Sequence, residues 1–158
     1  MNRTGIFIGI AVLVLAIAVV ASSMIIAPVL ADDDDDGDRV FTNESIKGRW
    51  GFLAQGTVLP PAVPAATPAA AVGILYFDGV GGCTLTDTFN IGGTTFGPLT
   101  SETCTYSVNP DGTGTWSFAF PGDLEPTPLS FVIVNDMQEI VDVRTDSFAV
   151  AFGVIKRQ

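Results

Sequence analysis

Residues 72–120 decide the fold, and their sequence is VGILYFDGVGGCTLTDTFNIGGTTFGPLTSETCTYSVNPDGTGTWSFAF. Three runs of β-type sequence follow one another here, at 72–78, 83–91 and 99–108, with glycines between them. A strong turn signal, NPDG at 109–112, comes next. Large side chains then alternate with small ones at 115–120, which is the period of a strand with one buried face. The stretch therefore predicts an antiparallel meander.

The chain on either side of this meander supplies further strands. They are predicted at 47–55, 129–135, 138–145 and 147–156, joined mostly by short turns. About eight antiparallel strands in one small domain favour an all-β up-and-down barrel, because closure removes the unpaired edges of the sheet. A two-sheet β-sandwich is the alternative.

The last two predicted strands differ in pattern. In 147–156 the larger Phe148, Val150, Phe152 and Val154 share one face, and the small Ala149, Ala151 and Gly153 share the other, a surface that allows close approach. In 138–145 the pattern is less regular, with Asp142 and Arg144 opposite Val141 and Val143. We expect Asp142 and Arg144 on the outside, where an ion pair stabilises little.

The first 30 residues predict export. One positive charge, Arg3, precedes a run of 26 uncharged residues, 5–30, and the small or aliphatic residues at 29–31 fit a signal-peptidase site. We interpret residues 1–31 as a signal peptide that is removed, leaving a periplasmic or extracellular protein. The alternative is a retained inner-membrane anchor with the domain facing outward, since such a run is long enough to span a bilayer of about 30 Å.

Five consecutive aspartates open the segment that follows the leader. Residues 32–45 are interpreted as an acidic disordered tail, and residues 46–158 as one β-barrel domain. Asp32, Asp34, Asp36 and Gly37 imitate the start of a calcium loop, but the position of its bidentate glutamate holds Asn43. Weak divalent-ion binding is thus the minor alternative. A net charge of −10 disfavours nucleic acid as a partner.

Proline and alanine dominate residues 56–71, which contain no charge. Closely spaced prolines lack the donors that a central strand needs, so this segment is predicted to be a loop between the first two strands. It is interpreted as a tolerated surface insertion or as a cover over the mouth of the barrel.

Cys83 and Cys104 are the two cysteines of the chain. If the hairpin turns at Gly92 and Gly93, they face each other across neighbouring strands, and an oxidising compartment permits a disulfide. Two thiolates without histidine do not provide a usual metal site, and neither a metal nor a cofactor is expected. The same register places Asp87 diagonal to Glu102, a pair that we expect to be solvated at the hairpin tip rather than catalytic.

Both ends of the barrel region carry a resemblance to known families. Gly48, Arg49 and Trp50, with Lys156 and Arg157, resemble the signature of lipocalins and other calycins, in which a first-strand tryptophan packs near a basic side chain from the end of the barrel. Residues 46–157 as a whole resemble small exported bacterial barrels of the lipocalin-like and allene-oxide-cyclase-like kind. The resemblance rests on structural positions and implies no catalytic residue.

Two functions follow from these expectations. The first is a barrel that binds or shields a small apolar ligand, and the second is a structural or interaction module that binds an envelope protein. An enzyme is not expected, because the chain has no histidine and no recognisable nucleophile or phosphate-loop motif. The predicted interior, which would contact a ligand, is made of large apolar side chains: Trp50, Phe52, Tyr76, Trp116, Phe118, Phe131, Phe148 and Phe152.

Overall fold

The computed structural model describes residues 39–158. The predicted signal peptide, the hydrophobic N-terminal helix and the aspartate run lie outside these residues. One short 3₁₀ helix, Asn43–Ile46, comes first. Nine strands follow it: β1 (Gly48–Val58), β2 (Thr67–Phe77), β3 (Cys83–Ile91), β4 (Thr94–Thr100), β5 (Thr103–Val108), β6 (Thr113–Ala119), β7 (Thr127–Val134), β8 (Glu139–Arg144) and β9 (Ala149–Arg157). In this part of the chain no helix is long and apolar enough to cross a membrane.

The nine strands form a single antiparallel sheet in the order β4-β3-β2-β1-β9-β8-β7-β6-β5. Each strand pairs with its neighbour in the chain except β4 with β5, and the first strand also pairs with the last. This is the connectivity of an up-and-down barrel, and the sheet curls accordingly. The prediction of an all-β, up-and-down antiparallel fold is confirmed.

Strands β4 and β5 explain why nine strands are found where about eight were predicted. Eight successive antiparallel pairings separate them in the sheet, so both run in the same direction. Only Ser101 and Glu102 lie between them, and β4 pairs with β3 whereas β5 pairs with β6. β4 and β5 are therefore two parts of one stretch of chain, which pairs first with β3 and then with β6. The single run predicted at 99–108 contains this change.

The two ends of the sheet meet where β3 begins. Gly82 forms an isolated antiparallel bridge with Thr105, and the Tyr106 amide donates to the Gly81 carbonyl at 2.9 Å. Cys83 and Cys104, next to this bridge, form the predicted disulfide with their Cα atoms 4.9 Å apart. The bond thus joins the first residue of β3 to β5, not to the hairpin partner β4. The sheet is closed at this point by covalent and hydrogen bonds.

Replacing both cysteines, as Cys83→Ala with Cys104→Ala, is expected to lower the free energy of unfolding by about 3 kcal/mol, because the bond restricts a loop of 21 residues in the unfolded chain. Urea denaturation of the variant and of the reduced wild type should give the same loss. Thiol titration of the unfolded, unreduced protein should find no free thiol. An oxidised wild type that unfolds at the same urea concentration as the reduced protein would contradict this prediction.

The proline and alanine segment is more regular than predicted. β1 continues to Val58 and β2 starts at Thr67, so the connection covers only residues 59–66. Ala69, Ala70 and Ala71 pair with both β1 and β3, although a loop was predicted here. Pro68 is tolerated because it is the second residue of β2, at the end of the ladder, where a missing N–H is least costly.

One half of the barrel is filled by side chains. We call the end where β1 begins the closed end, and the end where β1 finishes the open end. The fully buried side chains all belong to the closed half, and they are Ile46, Trp50, Leu75, Phe77, Leu85, Ile140 and Ile155. The closed half therefore forms the hydrophobic core of the domain.

Residues 39–45, predicted to belong to the disordered tail, lie against the closed end. The Phe41 amide donates to the Pro110 carbonyl at 3.0 Å. Asn43 accepts a hydrogen bond from the Val108 amide with its side chain, and its carbonyl accepts one from the Tyr106 hydroxyl. The ordered domain thus begins several residues before the predicted boundary at 46, because this short segment satisfies polar groups at the end of β5.

Candidate functional site

The open half of the barrel contains a cavity of about 640 Å³. Its walls come from β1, β2, β3 and β6 to β9, and residues 62, 63 and 122–125 border it from two connections. A cavity of this size lies within the usual range for small-molecule sites, about 300–1,000 Å³. It is the candidate functional site.

Small side chains form one wall of the cavity. Ala54 pairs with Ala71 on β2, and Gly56 pairs with both Ala69 on β2 and Ala151 on β9. These five residues all line the cavity, and we call them the small-residue wall. A side chain at Gly56 would collide with the Val150 carbonyl and with Ala151. The volume exists because three adjacent strands present almost no side chain to it.

Aromatic rings form another wall of the cavity, with large side chains instead of small ones. Phe118 lies between Trp116 and Phe120, with ring centroids 5.2 Å and 5.3 Å apart, and Phe89 on β3 stacks on Phe120 at 6.1 Å. All four rings line the cavity, and we call them the aromatic wall. Rings that are held by one another offer an apolar surface of fixed shape to a ligand.

Asp142 on β8 is a buried carboxylate in this cavity, with 5% of its surface exposed. The Trp116 indole N–H donates to it at 3.0 Å. Burial raises the pKa of Asp142 to about 6, and the indole hydrogen bond opposes that rise. Gly153, paired with Asp142 on β9, leaves room for the carboxylate, since a Cβ there would lie against its Oδ1.

The outward placement predicted for Asp142 and Arg144 is wrong. They do share one face of β8, but it is the inner face, since both line the cavity whereas Val143 is exposed. Arg144 does not pair with Asp142. It donates two hydrogen bonds of 2.8 Å to Asp146, which satisfies its charge locally. The apolar Ile140 lies on the same face of β8 and is fully buried, so this residue was the signal in the sequence that the face points inward.

Asp87 on β3 is the second buried carboxylate of the cavity, also 5% exposed. Within residues 39–158 no group donates a hydrogen bond to its Oδ1. Burial raises the pKa of Asp87 to about 6. The predicted solvated pair with Glu102 is wrong, since Asp87 lies inside the barrel whereas Glu102 is exposed at the change of partner between β4 and β5.

The predicted ligand-contacting residues lie in three places: the lining of the cavity, the core of the closed half and the exposed surface. Phe52, Trp116, Phe118 and Phe148 line the cavity. Trp50 and Phe131 are buried in the core instead. Trp50 carries the Arg157 guanidinium over its ring at 4.5 Å, which is the contact that the resemblance implied for a basic residue at the end of the barrel.

Tyr76 and Phe152 are the two predicted interior residues that have about half of their surface exposed. Tyr76 is 49% exposed between the buried Leu75 and Phe77. Phe152 borders the cavity but is 51% exposed on the outer face of β9, whereas Ala151 and Gly153 face inward. Both assignments followed side-chain size, and the outer face of this barrel carries several large apolar residues.

No family model, curated protein or solved structure matches this chain. The geometry of the cavity is thus the basis for a functional conclusion. Within residues 39–158 no cluster of three or more metal-binding side chains occurs. What the site offers chemically is an apolar volume with two buried carboxylates in its walls.

Proposed function

We propose that this protein is an exported barrel that binds a small apolar molecule in the cavity of its open half. The observation that carries the proposal is the contrast between the two halves of the same sheet. The closed half is packed with large side chains, whereas the open half places the small-residue wall at the corresponding inward positions of β1, β2 and β9. A ligand of matching shape would bury apolar surface there at about 25 cal/mol per Å².

Two further observations support export. The disulfide between Cys83 and Cys104 is compatible with an oxidising compartment. The uncharged run at 5–30 has the composition of a secretory leader. The resemblance to lipocalin-like barrels remains part of this proposal, since that class carries apolar ligands inside barrels. The periplasm or the extracellular space is the proposed location.

Filling the cavity tests the proposal. The neutral apolar dye N-phenyl-1-naphthylamine is expected to bind the wild type with a rise in its emission. The double variant Ala71→Leu with Ala151→Leu should weaken this binding at least about tenfold, because two larger side chains then occupy the volume. Ala119→Leu is the matched control, since Ala119 lies on β6 outside the cavity lining and should leave dye binding unchanged.

Two results would contradict the proposal. One is a wild type that leaves the emission of the dye unchanged. The other is dye binding that the control variant weakens as much as the filled variant does. In either case the alternative, an interaction module of the cell envelope, would take its place.

A further inference from the structure

Asp87 is a buried carboxylate whose Oδ1 has no hydrogen-bond donor in the part of the chain that the structure describes. It sits in the middle of β3, opposite Gly73 on β2 and Leu99 on β4, and its side chain lines the cavity. Its Oδ1 accepts no hydrogen bond from residues 39–158. A buried polar atom without a partner destabilises a fold. A ligand with a hydrogen-bond donor would remove this cost when it enters the cavity. At Asp87 such a ligand would gain a hydrogen bond in addition to its apolar contacts.

The charges around the cavity favour a cation. The ionisable groups in its lining are the acids Asp87, Asp123, Glu125 and Asp142 and one base, Arg144. Arg144 is already paired with Asp146. The whole chain is acidic as well, with a net charge of −10. A carboxylate ligand such as a fatty acid would therefore be repelled, whereas a positive group would be attracted.

Resting on the function proposed above, we propose that the ligand is an apolar molecule with one protonated amine, whose N–H groups donate to Asp87 while its apolar body lies against the aromatic wall. Charge-assisted hydrogen bonds to a carboxylate are about twice as strong as neutral ones. The rings of the aromatic wall also attract a cation through their faces. Asp142 is the weaker candidate for the amine, because it already accepts the Trp116 hydrogen bond.

Three probes with the same alkyl chain separate this inference from the proposed function. Decylamine, decanol and decanoate are titrated into the full-length protein at pH 7.5, and binding is followed by calorimetry and by tryptophan emission, to which Trp116 in the aromatic wall contributes. Decylamine is expected to bind at least about tenfold more tightly than decanol, because it adds a charged donor to the same apolar contact. Decanoate is expected to bind most weakly.

Asp87→Asn supplies the decisive comparison. It should lower the preference for decylamine over decanol from at least about tenfold to less than about threefold, since the variant keeps the shape of the side chain and removes its charge. Glu102→Gln is the matched control, because it removes one exposed acidic charge outside the cavity lining and should preserve the preference for the amine.

Each remaining outcome counts against a stated part of the inference. Equal binding of decylamine and decanol to the wild type would overturn the amine and leave the apolar cavity intact. A preference for the amine that survives in Asp87→Asn would overturn the role of Asp87. Silence of all three probes would overturn the proposed function together with this inference.

Discussion

Trp50→Ala is expected to lower the free energy of unfolding by about 3 to 5 kcal/mol, which is the range for removing a large buried aromatic side chain. Trp50 is fully buried, and its indole N–H donates to the Ile46 carbonyl at 2.8 Å. Its ring meets Phe77 edge to face at 6.3 Å and lies 4.5 Å from the Arg157 guanidinium. The substitution leaves a cavity in the core and exposes one face of the guanidinium. Urea denaturation measures the loss.

Phe148→Ala is the comparison for that experiment. Phe148 is an aromatic residue that lines the cavity, but 40% of its surface is exposed. Its replacement should therefore cost far less than that of Trp50. Similar losses for the two variants would show that the closed half is not the stabilising part of the domain.

The second large effect concerns pH. Burial raises the pKa of both Asp87 and Asp142 to about 6 from their ordinary value of 3.8. An acid whose folded-state pKa is raised binds its proton more tightly in the folded state. Its contribution to the free energy of unfolding is therefore fully present below about pH 4 and is lost as the pH rises to about 6. Each group then costs the folded protein about 3 kcal/mol at pH 7.5.

The double variant Asp87→Asn with Asp142→Asn isolates this effect. At pH 7.5 it should be more stable than the wild type, by up to about 6 kcal/mol, and near pH 4 the two proteins should be equally stable. The comparison with the variant is needed because Asp78, Asp111 and Asp146 have lowered pKa values and give the opposite trend. Equal stability of the two proteins at pH 7.5 would refute the burial of these carboxylates.

Such a gain in stability would itself bear on function. Asp87 is a residue that weakens the fold at neutral pH without a compensating partner within residues 39–158. Residues of this kind are expected where a ligand, not the protein, supplies the missing interaction.

Much of the fold was accessible from the sequence because the signals were local. Glycine and NPDG turns separate the strands, and their spacing alone gives an antiparallel meander. The pairing of Cys83 with Cys104 followed from placing the hairpin turn at Gly92 and Gly93. The observed ladder between β3 and β4 shifts register between Asp87 and Phe89, and it is the bridge between Gly82 and Thr105, formed after the chain changes partner, that places the two cysteines opposite each other.

The cavity was harder to predict, because alternation identifies two faces of a strand without saying which one faces inward. In β9 we placed Phe152 inside by its size. The structure turns Ala151 inward instead, since Ala151 faces Gly56 across the ladder. A wall of small residues is what creates an empty volume, and it has the same pattern in sequence as an exposed face. Asp87 and Asp142 escaped prediction for the related reason that carboxylates are rarely fully buried.

The pairing of the first strand with the last determines how the domain would respond to mechanical tension. β1 and β9 are antiparallel, and the start of β1 lies beside the end of β9, with Trp50 opposite Arg157. A force that separates these two ends therefore breaks the residue pairs between β1 and β9 one after another, and not all of them together in shear. The disulfide would then keep the chain between Cys83 and Cys104, a sequence separation of 21, from extending, which withholds about 70 Å of chain length.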